Sequence, residues 1–117
     1  MYNKLIISHK QVAPTNMFEL CVTYMHGDAD HYTKDKYYYG KGEEKKVLEH
    51  INFLAACMVK FPNGMGGNDG YWDVPGYEEY GEDTIPRDNE GHATVEEVEV
   101  CWFNDEGKQF LVTAVEE

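Results

Sequence analysis

A chain of 117 residues holds one domain's worth of sequence, and its 42% hydrophobic content excludes wholesale disorder and supplies a core that needs neither a structural metal nor disulfides. The formal charge of −12 is lopsided: residues 1–60 carry 8 Lys against 7 acids, a balance of +1, while residues 61–117 carry Arg87 and Lys108 against 15 acids, a balance of −13. That field opposes direct binding to nucleic acid or to an anionic membrane, and leaves a basic partner, a cation or solubility as its uses.

The first apolar run, within 4–9 (KLIISH), reads as a strand and is too short for the core of a signal peptide, so a cytoplasmic location is expected. The segment 17–26 (MFELCVTYMH) alternates Phe18, Leu20, Val22 and Tyr24 against Glu19, Cys21, Thr23 and Met25, which is the period of a strand. Pro14 and Asn16 favour a turn between the two, so the simplest connection is an antiparallel pair. A third short strand is expected over Lys34–Tyr39, with Tyr38 on one face and Tyr37 and Tyr39 on the other.

A helix is expected from about Glu43 to Lys60, with a core stripe of Val47, Ile51, Leu54 and Met58 flanked by Leu48, Ala55 and Val59. Glu43 and Glu44 suit the positive end of its dipole and Lys60 the negative end, and Pro62 forbids continuation. The longest unbroken apolar run, Phe53–Val59, lies inside this helix and falls far short of the roughly 20 residues a membrane span requires. His50 falls at the border of the stripe and reads as a half-buried structural histidine.

Residues 62–94 hold three of the four Pro and seven of the eleven Gly, so regular structure is not expected there. The large apolar groups Tyr71, Trp72, Val74, Tyr77, Tyr80 and Ile85 nonetheless argue against plain disorder. Residues 95–103 and 108–115 form the strongest hairpin signal, joined through a left-handed position at Gly107. Val98, Val100 and Trp102 are expected on one face; Glu97, Glu99, Cys101 and Phe103 are expected on the other, together with Phe110, Val112 and Ala114 of the partner strand. The sum is one α+β domain over 1–117: an antiparallel sheet of four to five strands, one helix packed across it, and a long acidic loop.

Chemistry is sparse. Cys21, Cys57 and Cys101 are far apart among apolar neighbours, which fits reduced core thiols. Ser8 is the only serine and no acid accompanies it; GMGG at 64–67 follows a helix and opens none, so a serine nucleophile and a phosphate loop are both excluded. The loop HGDADH offers His26, Asp28, Asp30 and His31 as candidate metal ligands. It resembles the HxHxDH motif of metallo-β-lactamase-fold hydrolases, with Asp28 where that family has its second His, and the resemblance implies a metal-dependent hydrolase. As a calcium loop it departs from the pattern at Thr33 and Tyr39, where Gly and Glu are needed. A turn, with Asp28 and Asp30 accepting local backbone bonds, is the simplest reading; a metal-binding domain or metal-dependent hydrolase is the alternative.

The segment Asp69–Glu90 carries eight acids against Arg87, a balance of −7 over 22 residues, with aromatic residues interleaved. Carboxylates attract a basic surface at long range, and Trp and Tyr supply contact area at low entropic cost. Asp69, Trp72, Asp73, Tyr77, Glu78, Glu79, Tyr80, Glu82 and Asp83 are therefore the candidate partner-binding residues, with no catalytic residue and no cofactor expected. Carboxylates standing in for phosphates make nucleic-acid mimicry one mode of such binding. In size, acidity, Tyr content and the phrase FELCVTYMHGDADHYT over 18–33, the chain is similar to small accessory proteins of tailed phages. That resemblance implies a host-directed, anti-defence inhibitor in the host cytoplasm, bound to a nuclease or another nucleic-acid-handling protein. Self-association is also compatible with the sequence.

Overall fold

A computed structural model describes residues 1–7, 17–26, 31–61, 70–88, 91–103 and 107–116. Among them, β1 (Lys4–Ile7), β2 (Met17–His26), β3 (His31–Gly40), β6 (Thr94–Phe103) and β7 (Gln109–Val115) form one antiparallel sheet in the order β1-β7-β6-β2-β3. The helix α1 (Glu44–Lys60) packs against it, and β4 (Arg87–Asp88) and β5 (Gly91–His92) make a separate two-stranded pair. The expected α+β class, with five strands and one main helix, is the observed one. Contacts group the chain into two compact units: Met1–Cys21, Lys36–Asn52 and Glu99–Glu117 in the first, Val22–Asp35 and Phe53–Val98 in the second.

The alternation in β2 holds: Phe18, Leu20, Val22 and Tyr24 are fully buried. The expected pairing of β1 with β2 does not hold, because β1 lies at the far edge of the sheet against β7, in register from Lys4↔Val115 to Ile7↔Val112. The reason lies in length and exposure. A ten-residue strand with such a buried face belongs in the sheet interior, where β6 and β3 flank β2. A four-residue strand with Lys4 and Ile6 exposed suits an edge. Residues 8 and 9 of the expected first strand, and the turn after it, lie outside the described residues.

In the first unit, Asn52 of α1 clasps the start of the chain: Tyr2 N donates to Asn52 Oδ1 at 2.7 Å and Asn52 Nδ2 donates to Tyr2 O at 2.8 Å. The helix start is also built from the sequence outward. Gly40 N donates to Glu43 Oε1 at 2.7 Å, and this bond, followed by Lys46, holds the Glu43 carboxyl below its ordinary range. Tyr38 is 57% exposed, while Tyr37 and Tyr39 turn toward His50 with ring centroids at 5.0 and 6.0 Å, as the strand alternation requires. His50 is not half-buried but 1% exposed, and Tyr39 Oη shares a 2.7 Å hydrogen bond with its Nδ1. Burial pushes its pKa down to about 4.

The expected stripe residues Val47, Ile51 and Leu54 of α1 are buried, but the buried face widens toward His50, Phe53 and Cys57, while Met58 and the expected flank of Leu48 and Ala55 are half-buried. Val59 is exposed because two residues turn the helix by about 200°, placing it opposite Cys57. In the β6–β7 hairpin Trp102 pairs with Phe110 and Val100 with Val112. Paired residues share a face, so Phe110 and Val112 lie with Trp102 and Val100, not with Glu97, Glu99 and Cys101 as expected from sequence. Burial decides this register, because it sends four apolar side chains inward together.

Candidate functional site

The segment expected to lack regular structure contains two short helical turns and the β4–β5 hairpin within its described residues. A 3-10 turn covers Tyr71–Asp73 and a π-helical turn covers Tyr77–Gly81. Glycine makes both possible. Gly76 opens the second turn at φ 96°, and a Cβ on Gly81 would stand 2.6 Å from Phe53 Cζ and 2.8 Å from Tyr77 Cδ1, so only glycine lets the turn lie this close.

The hydrogen bonds carry the helical path beyond the π turn. Tyr80 N donates to Gly76 O at 2.8 Å, Glu82 N to Tyr77 O at 2.8 Å and Ile85 N to Gly81 O at 3.1 Å. Tyr80, Gly81 and Ile85 are buried and Tyr77 half-buried, at the spacing of one helical face. Glu78, Glu79, Glu82 and Asp83 are left exposed on the opposite side of the same short segment. The wider i to i+5 turn accommodates Tyr77 and Tyr80 on the inner side.

Trp72, on the preceding 3-10 turn, is 55% exposed beside the fully buried Tyr71. Asp73 is exposed and pairs with Lys60 at 3.7 Å, a surface contact of small energetic worth. Of the expected partner-binding residues, Trp72, Asp73, Glu78, Glu79, Glu82 and Asp83 are thus surface groups, and Tyr77 is half-buried. Tyr80 is 7% exposed and forms the support beneath the carboxylates instead of a contact group, because its ring lies on the inner side of the turn. Asp69 lies outside the described residues.

Beneath Trp72 sits a residue that sequence reasoning missed. His92 is fully buried, with the rings of Tyr71, Tyr77 and Trp72 at 5.6, 5.7 and 6.4 Å. Its Nε2 meets Tyr77 Oη at 3.0 Å and Arg87 Nη1 at 3.2 Å, and Arg87 is its cross-strand partner in the β4–β5 hairpin. The only signal in the sequence is the spacing in RDNEGH, where two polar residues stand between Arg87–Asp88 and Gly91–His92, the length of a two-residue connection.

Of the candidate metal ligands, His26 and His31 are described and Asp28 and Asp30 are not. The two imidazoles meet edge to face at 5.0 Å, and His26 Nε2 shares a 2.7 Å hydrogen bond with Thr33 Oγ1. Among the described residues no group of three or more His, Cys, Asp or Glu is placed to hold a metal ion, and no helix is long and apolar enough to cross a membrane. Cys57 is fully buried, and burial pushes its thiol up to about 12, which makes it inert as a nucleophile at neutral pH. No family model, curated protein or solved structure matches the chain.

Proposed function

We propose that this chain is a non-enzymatic interaction protein that binds and inhibits a basic, nucleic-acid-handling protein of a host cell. The observation that carries this reading is the shared outward side of Glu78, Glu79, Glu82 and Asp83 beside the exposed Trp72. A loop that served only solubility would have no need of a buried face of Tyr80 and Ile85 to fix its carboxylates in one direction. Oriented charge draws a basic groove into encounter, and an exposed indole supplies the contact that holds it. The carboxylates then occupy the part of the groove that phosphates would take, and inhibition follows from that competition.

Affinity capture from the native host, run in parallel with the wild-type chain and with a variant carrying Glu78→Lys, Glu79→Lys, Glu82→Lys and Asp83→Lys, tests the reading. The wild-type bait is expected to retain a basic nucleic-acid-binding protein that the variant loses, and to block that protein's binding of nucleic acid. Identical captures by both baits would sink it.

A further inference from the structure

In the first unit one face of the sheet looks toward α1: Phe18 and Leu20 of β2 are buried, and Tyr37 and Tyr39 of β3 turn toward His50. Strand alternation puts Ile6 of β1, Leu111 of β7, Cys101 of β6, Glu19 of β2, and Lys36 and Tyr38 of β3 on the other face. Contacts tie four of these into a row. Lys36 Nζ lies 3.8 Å from Glu19 Oε1, Cys101 Sγ lies 3.9 Å from Glu19 O, and Cys101 is in register with Leu111. Both ends of the face are open: Leu111 and Ile6 are 64% and 47% exposed at the β7–β1 end, and Tyr38 is exposed at the β3 end.

We propose that this face is the contact between two copies of the chain, in a reversible dimer whose two-fold axis runs along the strands. Charge selects the occupant. Within the unit the charged side chains of the face are Lys4, Lys36, Glu19 and Glu99, two of each sign, which sum to zero on a chain of −12. Two such chains repel wherever their carboxylates meet, and a neutral apolar face is where they can approach. A basic macromolecule gains no attraction there, and nucleic acid or an anionic membrane is opposed by the field of the whole chain. The two ends of the face differ in kind, aliphatic at Ile6 and Leu111, aromatic and cationic at Tyr38 and Lys36. A two-fold along the strands reverses the strand order of the second copy. Tyr38 and the stem of Lys36 from each copy then lie over Leu111 of the other, so the same contact forms twice. The strands of the two sheets stay aligned, as packed sheets prefer. Size sets the strength: five strands spaced by ~4.8 Å and about five residues long give a footprint of roughly 400 Å². That is about half of the ~800 Å² each partner buries in a stable interface, so the dimer comes apart on dilution. The dimer does not depend on the function proposed above, whose carboxylates lie in the other unit.

Sedimentation equilibrium of the full chain from about 10 µM to about 1 mM covers the affinities of so small a contact. The wild type is expected to pass from monomer toward dimer across that range, a result that needs no variant. Tyr38→Asp and Leu111→Lys, both at exposed positions, are each expected to weaken dimerisation at least ~10-fold, because each sets two unpaired charges against apolar surface. An equimolar mixture of these two variants is expected to dimerise again. One end then pairs the introduced carboxylate with the introduced ammonium, and the other keeps Tyr38 on Leu111. Val59→Lys, at an exposed position of α1 outside this unit, should associate as the wild type does. Melting of each variant at the dilute end checks that it is folded. A wild type that stays monomeric throughout, single variants that associate like wild type, a mixture that stays monomeric, or loss of the dimer in Val59→Lys each overturn the proposal. A monomeric wild type whose captured partner is lost by Leu111→Lys also overturns it, and gives the face to that partner.

Discussion

Acid should unfold this protein partly through His50. The imidazole is 1% exposed, lies against Tyr37 and Tyr39, and has its pKa pushed from 6.5 down to about 4 by burial. In the unfolded chain it titrates near 6.5, so below that pH the unfolded state binds a proton that the folded state refuses. Stability tied to this group is complete above pH 6.5, falls as the pH drops toward about 4, and is fully lost below that. A difference of 2.5 pH units corresponds to about 3 kcal/mol, a large share of the stability of a small domain. Urea unfolding of wild type and of His50→Leu at several pH values between about 7.5 and about 4 isolates the contribution, because all other titrations are common to both chains. The wild type should lose about 3 kcal/mol more across that range than the variant, whatever the variant's stability at neutral pH. Equal pH dependence in the two chains would show that His50 is not held neutral by burial, and would refute the argument.

Gly81→Ala should destabilise the chain by about 1–3 kcal/mol, read as a lowered melting temperature, since its Cβ meets the Phe53 ring at 2.6 Å; a melting temperature equal to wild type contradicts the close approach. Cys57 should react with a thiol reagent at neutral pH only after urea unfolding, because its thiol is buried and its pKa is raised to about 12. Chelator treatment should leave the melting temperature where it was. A downward shift together with stoichiometric zinc would establish the HGDADH loop as a metal site.

Residues with a strong period were legible in the sequence, and those whose place depends on distant partners were not. The alternation of Phe18, Leu20, Val22 and Tyr24, and the opposed faces of Tyr37 and Tyr38, follow from the strand repeat alone. The pairing of β1 with β7 was hidden because nearness along the chain favours a hairpin, whereas burial of β2 on both flanks is a property of the whole sheet. In α1 the stripe of Val47, Ile51 and Leu54 was legible, but the side on which the buried face widens was not, because His50 and Cys57 count as polar or neutral in a pattern yet are packed as core. The acidic segment shows the same limit. Its charge and its aromatics were visible, but the division into buried Tyr80 and Ile85 and exposed carboxylates depends on a π turn that two glycines permit. His92 gave only a weak local signal, since its meaning comes from Arg87, Tyr77 and Trp72 gathering around it.

The most direct measurement of the central claim is the association rate of the captured partner with the wild-type chain and with the fourfold reversal at Glu78, Glu79, Glu82 and Asp83, across a range of salt. Exposed charge acts mainly on encounter, and its reach shrinks from about 10 Å at 0.1 M salt to about 3 Å at 1 M. Oriented carboxylates predict that reversal slows association far more than it speeds dissociation, that the difference between the chains closes as salt rises, and that melting is unchanged or raised by reduced self-repulsion. Equal association rates at low salt would contradict the account and leave the acidic side of this segment as solvated surface.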